Sequence, residues 1–293
     1  MRQRPAVASE SHLTVLEPPV RRRTARSVLV ALTGLALAAA TAGVAGASTC
    51  PDPNAGPPYP YTTELVGQFG RPIPLKHMAL LRKTQHGYQL EAGPQNDHLS
   101  VTEASHRIRF VDTHAAKWRS LPSSCHAVKV PQGIGATCAI PRWVNDAQPL
   151  LVEIWPRLGN DYLDAHTLPA SVAMTMLADQ GDDTARFGAG PDFFNGYRGH
   201  DRVWGGAGND WLRPGVDDDL VRGGPGNDYI VSGPGSDTVY GGAGADQIAG
   251  SGGNDVIYGG SGVDYVVCGD GVDSAIIDAL SRATHTCETI QQG

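Results

Sequence analysis

No H-E-x-x-H occurs anywhere in the 293 residues, which excludes a helix-borne two-histidine zinc site of the metalloprotease type. No G-x-S-x-G occurs either, which excludes the nucleophile elbow of an α/β-hydrolase. No long amphipathic helix stands out. Between residues 178 and 276 there is no lysine and no glutamate, while sixteen aspartates face five arginines, a formal charge of -11. The total is -7, so the rest of the chain carries +4. Acid concentrated in this way argues against nucleic acid as the partner of the stretch and in favour of a cation.

What fills that stretch is a tandem array. From Ala178 to Ile276 the chain divides without insertion into eleven nine-residue units, among them GGAGNDWLR, GGPGNDYIV, GGAGADQIA and GGSGVDYVV. Position six is always aspartate: Asp183, Asp192, Asp201, Asp210, Asp219, Asp228, Asp237, Asp246, Asp255, Asp264 and Asp273. Position four is glycine except at Asp217. Position eight is always apolar, from Ala185 and Phe194 to Val266 and Ala275. Glycines at positions one, two and four predict a turn, because they tolerate φ > 0 and close backbone approach. The three residues after the aspartate, one apolar side chain between two that point the other way, predict a short strand. Such a strand cannot bury its apolar residue alone, so the turns must stack and merge their position-eight residues into one core. Stacking brings aspartates together, and like charges at that spacing call for a cation between them. Carboxylate and carbonyl oxygens suit Ca²⁺ better than Mg²⁺, Zn²⁺ or copper. A solvated Gly/Asp linker is the competing reading, but it gives no reason for the apolar residue at every position eight.

The units resemble the RTX (repeats-in-toxin) calcium-binding nonapeptide G-G-x-G-x-D-x-U-x over about a third of the chain. The resemblance implies an all-β fold, a right-handed parallel β-roll preceded by a β-rich N-terminal module. It also implies two units per coil, turns alternating between two edges, and Ca²⁺ held between successive coils by loop carbonyls and the eleven aspartates. One edge then carries Asp192, Asp210, Asp228, Asp246 and Asp264, and the other Asp183, Asp201, Asp219, Asp237, Asp255 and Asp273. The four units with every motif position intact all fall on the Asp192 edge, whereas each loop of the Asp183 edge departs at a glycine position. The expectation is asymmetric binding: tightest at Asp210/Asp228, Asp228/Asp246 and Asp246/Asp264, weakest around Asp219, where Pro214 and Asp217 replace glycines. Neighbouring pairs allow at most four slots on one edge and five on the other, about nine ions in all.

The flanking regions read as an exported protein. Residues 1–47 combine a basic cluster (Arg21, Arg22, Arg23, Arg26), an uncharged run from Ser27 to Gly46 and the A-x-A pattern Ala45-Gly46-Ala47, a secretory signal cleaved near Ser48. An uncleaved membrane anchor is the alternative, since a run of about twenty apolar residues is just long enough to span. Whether export uses the general or the twin-arginine route stays open. Residues 48–61 are a Pro-rich linker. Residues 62–156 form the β-rich module, with strands expected at His98–Thr102, Arg107–Val111 and Leu150–Trp155. The roll is assigned to 157–276, with Val172, Met174 and Met176 on its leading strand and Asp161, in Gly159-Asn160-Asp161-Tyr162-Leu163, as an outlying ligand four residues out of register. Residues 277–293 are a C-terminal cap.

Five cysteines in an exported chain suggest two disulfides and one left over. Cys125 is paired with Cys138, and Cys268 with Cys287, the second bridge closing the open end of a solenoid. Cys50 stands alone. The histidines fit no metal spacing, although His106, Asp112 and His114 are close in sequence. Trp118, Trp143 and Trp155 are read as core or interface residues, with a sugar-stacking platform as the alternative. Tyr197, Trp204, Trp211, Tyr229, Tyr240, Tyr258 and Tyr265 occupy outward positions of the array and are read as cross-strand stacks, with an adhesive stripe as the alternative.

The expectation is a secreted, non-enzymatic calcium-binding protein that folds on Ca²⁺ outside the cell and serves a structural, adhesive or scaffolding role. Its partners are calcium and a cell-surface or matrix component, with no nucleic acid and no membrane after signal cleavage. The competing class makes residues 62–156 a hydrolase or carbohydrate-binding module that the roll helps to export and stabilise.

Overall fold

The computed structural model describes Leu75, residues 77–284 and residues 286–293. The leader at 1–47, the linker at 48–61 and Cys50 lie outside these residues. Among the described residues there are strands and no helix, arranged in an eleven-stranded and a twelve-stranded sheet. Successive strands of the array alternate between the two sheets and pair in parallel with the strand eighteen residues on. Two nonapeptides therefore make one coil, and the whole is a parallel β-solenoid of about eight turns.

The core follows from position eight. In one sheet Phe194, Leu212, Ile230, Ile248 and Val266 stand in register, and in the other Ala185, Val203, Val221, Val239, Ile257 and Ala275. All eleven are 0% exposed. Each full-sized aliphatic side chain buried this way contributes about 1.5–3 kcal/mol, realised only when a neighbouring coil covers it.

The strands are longer than the three residues expected. Most span six, as in Leu220–Pro225, Thr238–Ala243 and Val256–Ser261, and so include positions one to three of the next unit. Gly224 pairs with Gly242 and Pro225 with Ala243, which confines the turn to positions four to six. The cause is coil-to-coil contact: with no side chain in the way, the glycine backbone stacks closely enough to extend the ladder. At Gly226, with φ +145, an added Cβ would lie 1.6 Å from the carbonyl oxygen of Gly208.

The solenoid begins before residue 157. Gly87–Glu91 lies parallel to Leu150–Trp155, with Leu90 opposite Ile154, and His98–Ser100 lies parallel to Tyr162–Asp164, with Leu99 opposite Leu163. Both sheets thus run through position 156 without a break. The four-residue slip in register is absorbed between Asp164 and Val172, and the leading strand, Val172–Leu177, buries Val172, Met174 and Met176 as expected. Beyond the first coil most pairing turns antiparallel: Met78–Lys83 pairs with Gly87–Glu91, and Arg107–Asp112, Ile134–Ala139 and Cys125–Val128 continue the other sheet, while Lys117–Ser120 adds a parallel edge strand to Met78–Lys83. Cys125 and Cys138 face each other there and are bonded. At the far end Arg282–Ala283 and Thr289–Gln292 add a last strand to each sheet, tied by Cys268–Cys287.

The aromatic side chains of the array stack across strands. The Tyr240 and Tyr258 rings stack 4.6 Å apart and nearly parallel, and Trp211 sits between Phe193 and Tyr229. Tyr197, on the strand Phe193–Arg198, is 52% exposed with the Arg198 guanidinium over its ring, and Trp204 lies under Arg186. In the N-terminal part Trp118 donates Nε1–H to the Gly135 carbonyl. Trp143 departs from the core reading: it is 43% exposed, on the turn that follows Ile134–Ala139.

Candidate metal sites

Each position-six aspartate stands where a turn gives way to a strand, with its side chain inside the wall. All eleven are at most 4% exposed. One carboxylate oxygen, Oδ1, accepts the backbone N–H of the aspartate one coil earlier. On one edge these bonds run Asp192 to Asp210, Asp210 to Asp228, Asp228 to Asp246 and Asp246 to Asp264, at 2.8–3.1 Å. On the other they run Asp183 to Asp201, Asp201 to Asp219, Asp219 to Asp237, Asp237 to Asp255 and Asp255 to Asp273, at 2.7–2.9 Å. The nonapeptide period thus yields two continuous carboxylate ladders, on the edges expected.

The Asp183 ladder is longer than the array. Asp161 donates its N–H to Asp183 at 2.7 Å, and Asp97 donates to Asp161 at 2.6 Å. Asp97 was missed in the sequence. Its signal is there, since Asn96-Asp97-His98-Leu99 repeats the N-D-x-U pattern of Asn160-Asp161-Tyr162-Leu163, but 64 residues separate the two aspartates. At the C-terminal end the cap supplies the acceptors. Asp264 donates to Ser281 Oγ at 2.9 Å and Asp273 to Glu288 Oε2 at 2.7 Å, at separations of 17 and 15 residues that no nine-residue register reveals.

The second oxygen of each carboxylate is the informative one. Oδ2 has no hydrogen-bond partner on ten of the eleven aspartates; Asp264 differs, accepting from Ser281 at 3.2 Å. On the Asp192 edge these oxygens face position-one glycines. A Cβ on Gly223 would lie 2.2 Å from Asp228 Oδ2 and 2.5 Å from the Gly241 carbonyl oxygen, and Gly205 and Gly241 repeat the geometry. A carboxylate oxygen and a carbonyl of the next coil therefore converge on space that a side chain would fill. On the Asp183 edge position one is Ala178, Gly196, Pro214, Ser232, Gly250 and Cys268 in turn. There Ser232 places a hydroxyl against the Gly250 carbonyl at 2.9 Å.

Among the described residues no cationic side chain offsets this charge. The ion pairs among the described residues are Arg82–Glu91, Arg157–Glu91 and His166–Asp164, and none touches a ladder. Two carboxylates one coil apart, about 4.8 Å, repel by about 3–4 kcal/mol at an effective dielectric constant near 20. Burial, the larger cause, pushes several of the ladder carboxyls above their ordinary range, to about 8 at Asp210 and about 7 at Asp228 and Asp183. Asp219 rises furthest of those with a value, to about 9, through burial first and then Asp201, Asp237 and Asp217. Asp192, fully enclosed, is raised as well, by burial and then by Asp210.

Among the described residues no three carboxylate, imidazole or thiolate side chains converge on one point. An ion in the roll would therefore draw on backbone carbonyls besides the aspartates, an all-oxygen and flexible set that fits calcium. His106, Asp112 and His114 assemble no site of their own: Asp112 accepts the backbone N–H groups of His114 and Ala115, and His106 donates its N–H to Glu103.

A family model of the RTX calcium-binding nonapeptide repeat, in four copies, matches residues 177–212, 214–248 and 240–275. Residues 177–275 are RTX calcium-binding repeats. The protein is thus a calcium-binding β-roll protein over this part, and its RTX turns carry ten of the orphaned carboxylate oxygens. No curated protein matches the chain.

Proposed function

We propose that the protein is exported, that its RTX roll folds as it takes up calcium outside the cell, and that the folded roll serves as a non-catalytic structural or adhesive scaffold. The observation that carries this reading is the pair of buried carboxylate ladders with no side-chain counter-charge. Without calcium, neutral pH forces these groups either to ionise against one another or to hold protons at a cost, and the coils lose their reason to stack. Inside a cell calcium is scarce and the array's charge of -11 favours an expanded chain. Outside, calcium near ~10⁻³ M matches the affinity of about 10⁻⁴–10⁻³ M of extracellular calcium modules. Export and folding are then linked by mass action. Two disulfides, one clamping the antiparallel hairpins and one the last coil, suit an oxidising compartment.

Circular dichroism of residues 48–293 during a calcium titration, with magnesium as the control, tests the reading. A cooperative gain of β signal with calcium alone is the expected result. A roll that is already folded in chelator, or one that magnesium folds equally well, overturns it.

A further inference from the structure

The Asp183 edge carries buried acid into a part of the chain that has no nonapeptide. Asp97 and Asp161 stand on successive coils, as the parallel pairing of Leu99 with Leu163 requires. Asp112 arrives from the opposite direction: its strand, Arg107–Asp112, runs antiparallel to His98–Ala104 and places it across from Leu99, two residues from Asp97. The three carboxylates are 2%, 0% and 2% exposed for Asp97, Asp112 and Asp161. Their first oxygens are spoken for. Asp97 Oδ1 accepts from Gln95 Nε2, Asp161 Oδ1 from the Asp97 N–H, and Asp112 Oδ1 from the N–H groups of His114 and Ala115. The second oxygen of all three has no partner.

Protonation does not resolve this. A protonated Oδ2 becomes a donor, and a buried donor needs an acceptor as much as a buried acceptor needs a donor. Among the described residues no lysine or arginine pairs with any of the three. The turns, meanwhile, are built as in the array. Gly159, with φ +131, rests against the Gln95 carbonyl as Gly181 rests against that of Gly159, and Asn160 accepts and donates along the edge as the turn residues above it do. The backbone thus presents the same stacked loops without the G-G-x-G signature.

We propose that a calcium ion is held between Asp97 and Asp161, outside the nonapeptide array, with the Asp112 carboxylate beside it adding negative charge to the slot. The identity of the ion rests on the calcium reading of the roll, and carbonyl or water oxygens complete its ligands, since no three side chains converge here. The slot joins segments that are far apart in sequence: the hairpin 98–112 and the strand Tyr162–Asp164. Calcium therefore orders the N-terminal strands together with the roll, instead of acting on the repeats alone.

Native mass spectrometry of the secreted chain in calcium counts the bound ions. Asp97→Asn is expected to bind one calcium fewer than the wild type, while Asp228→Asn, in the array, loses calcium from its own edge and leaves the Asp97 slot filled. An unchanged count in Asp97→Asn, alongside a loss in Asp228→Asn, overturns this slot alone; a wild-type chain that binds no calcium overturns both readings. Because Asp97→Asn risks misfolding, a second variant leaves the carboxylates intact. Tyr162 adjoins Asp161 and packs against His98 at 4.4 Å, so it is placed to sensitise terbium in this slot. Tyr162→Phe is expected to remove a distinct fraction of terbium luminescence in the folded chain. Equal luminescence in Tyr162→Phe and wild type sinks the proposal.

Discussion

Along the Asp192 edge position one is glycine in four consecutive coils, at residues 205, 223, 241 and 259; along the Asp183 edge it is Ala178, Gly196, Pro214, Ser232, Gly250 and Cys268. The backbone strain differs in the same sense. Within the array the non-glycine residues at positive φ are Asp179, Tyr197, Asp217 and Ser251, all in units of the Asp183 edge. Both edges carry the same hydrogen-bonded carboxylate ladder, so the ladder alone does not need a perfect motif. What the full set of glycines adds is a space beside each Oδ2 too tight for a Cβ, and loops with no non-glycine residue at positive φ. The Asp183 edge gives up part of that space to side chains, yet it is the longer ladder, continued by Asp161 and Asp97 at one end and Glu288 at the other. Regularity serves the ion on one edge, while length serves the joining of segments on the other.

The sharpest way to break this comparison is to fill a cradle on the regular edge. Gly223→Ala puts a Cβ 2.2 Å from Asp228 Oδ2 and 2.5 Å from a backbone carbonyl that cannot move away. Overpacking of this kind costs about 1–3 kcal/mol, to which the lost calcium slot adds. The expected outcome is a clear drop in the thermal midpoint in calcium, read by calorimetry.

The second test is pH in the absence of calcium. The ladder carboxyls are raised from 3.8 to about 6 at Asp237 and Asp246, about 8 at Asp210 and Asp201 and about 9 at Asp219. Groups raised by folding contribute stability that is full below their unfolded value and is lost as pH rises through the folded one. The calcium-free roll should therefore gain β signal on acidification from about pH 9 toward pH 4, the reverse of ordinary acid denaturation. Asp219→Asn removes the most strongly raised of these groups and should flatten the alkaline end of that profile, whereas Asp246→Asn should not. A calcium-free profile that rises with pH contradicts the desolvation argument.

The smallest effect is expected from opening a cradle on the irregular edge. Ser232→Gly removes the hydroxyl that bonds the Gly250 carbonyl beside Asp237. One buried hydrogen bond is worth about 1 kcal/mol, so the stability of the acid-folded, calcium-free roll should fall by that order, while calcium affinity on the Asp183 edge should rise by several-fold in isothermal titration. Equal affinity in the two proteins would show that position one does not set the slot.

The sequence by itself determined the roll. A nine-residue period that never slips permits only stacked turns, because no other arrangement buries the position-eight residues from Ala185 to Ala275 at once. The same period assigns each aspartate to an edge, since every second unit falls on the same side. The two disulfides were legible as well, as pairs within one region and across the last coil. Only the tertiary structure decided the rest. Asp97, Asp112, Ser281 and Glu288 reach the ladders through loops of irregular length, and Asp112 does so on an antiparallel strand, so no spacing in the chain announces them. The inward turn of position one beside Oδ2 is likewise invisible in the repeat, although the replacement of its glycine by Pro214 is read there directly. It depends on strands that run six residues instead of three, and that length is set by how closely one coil can approach the next.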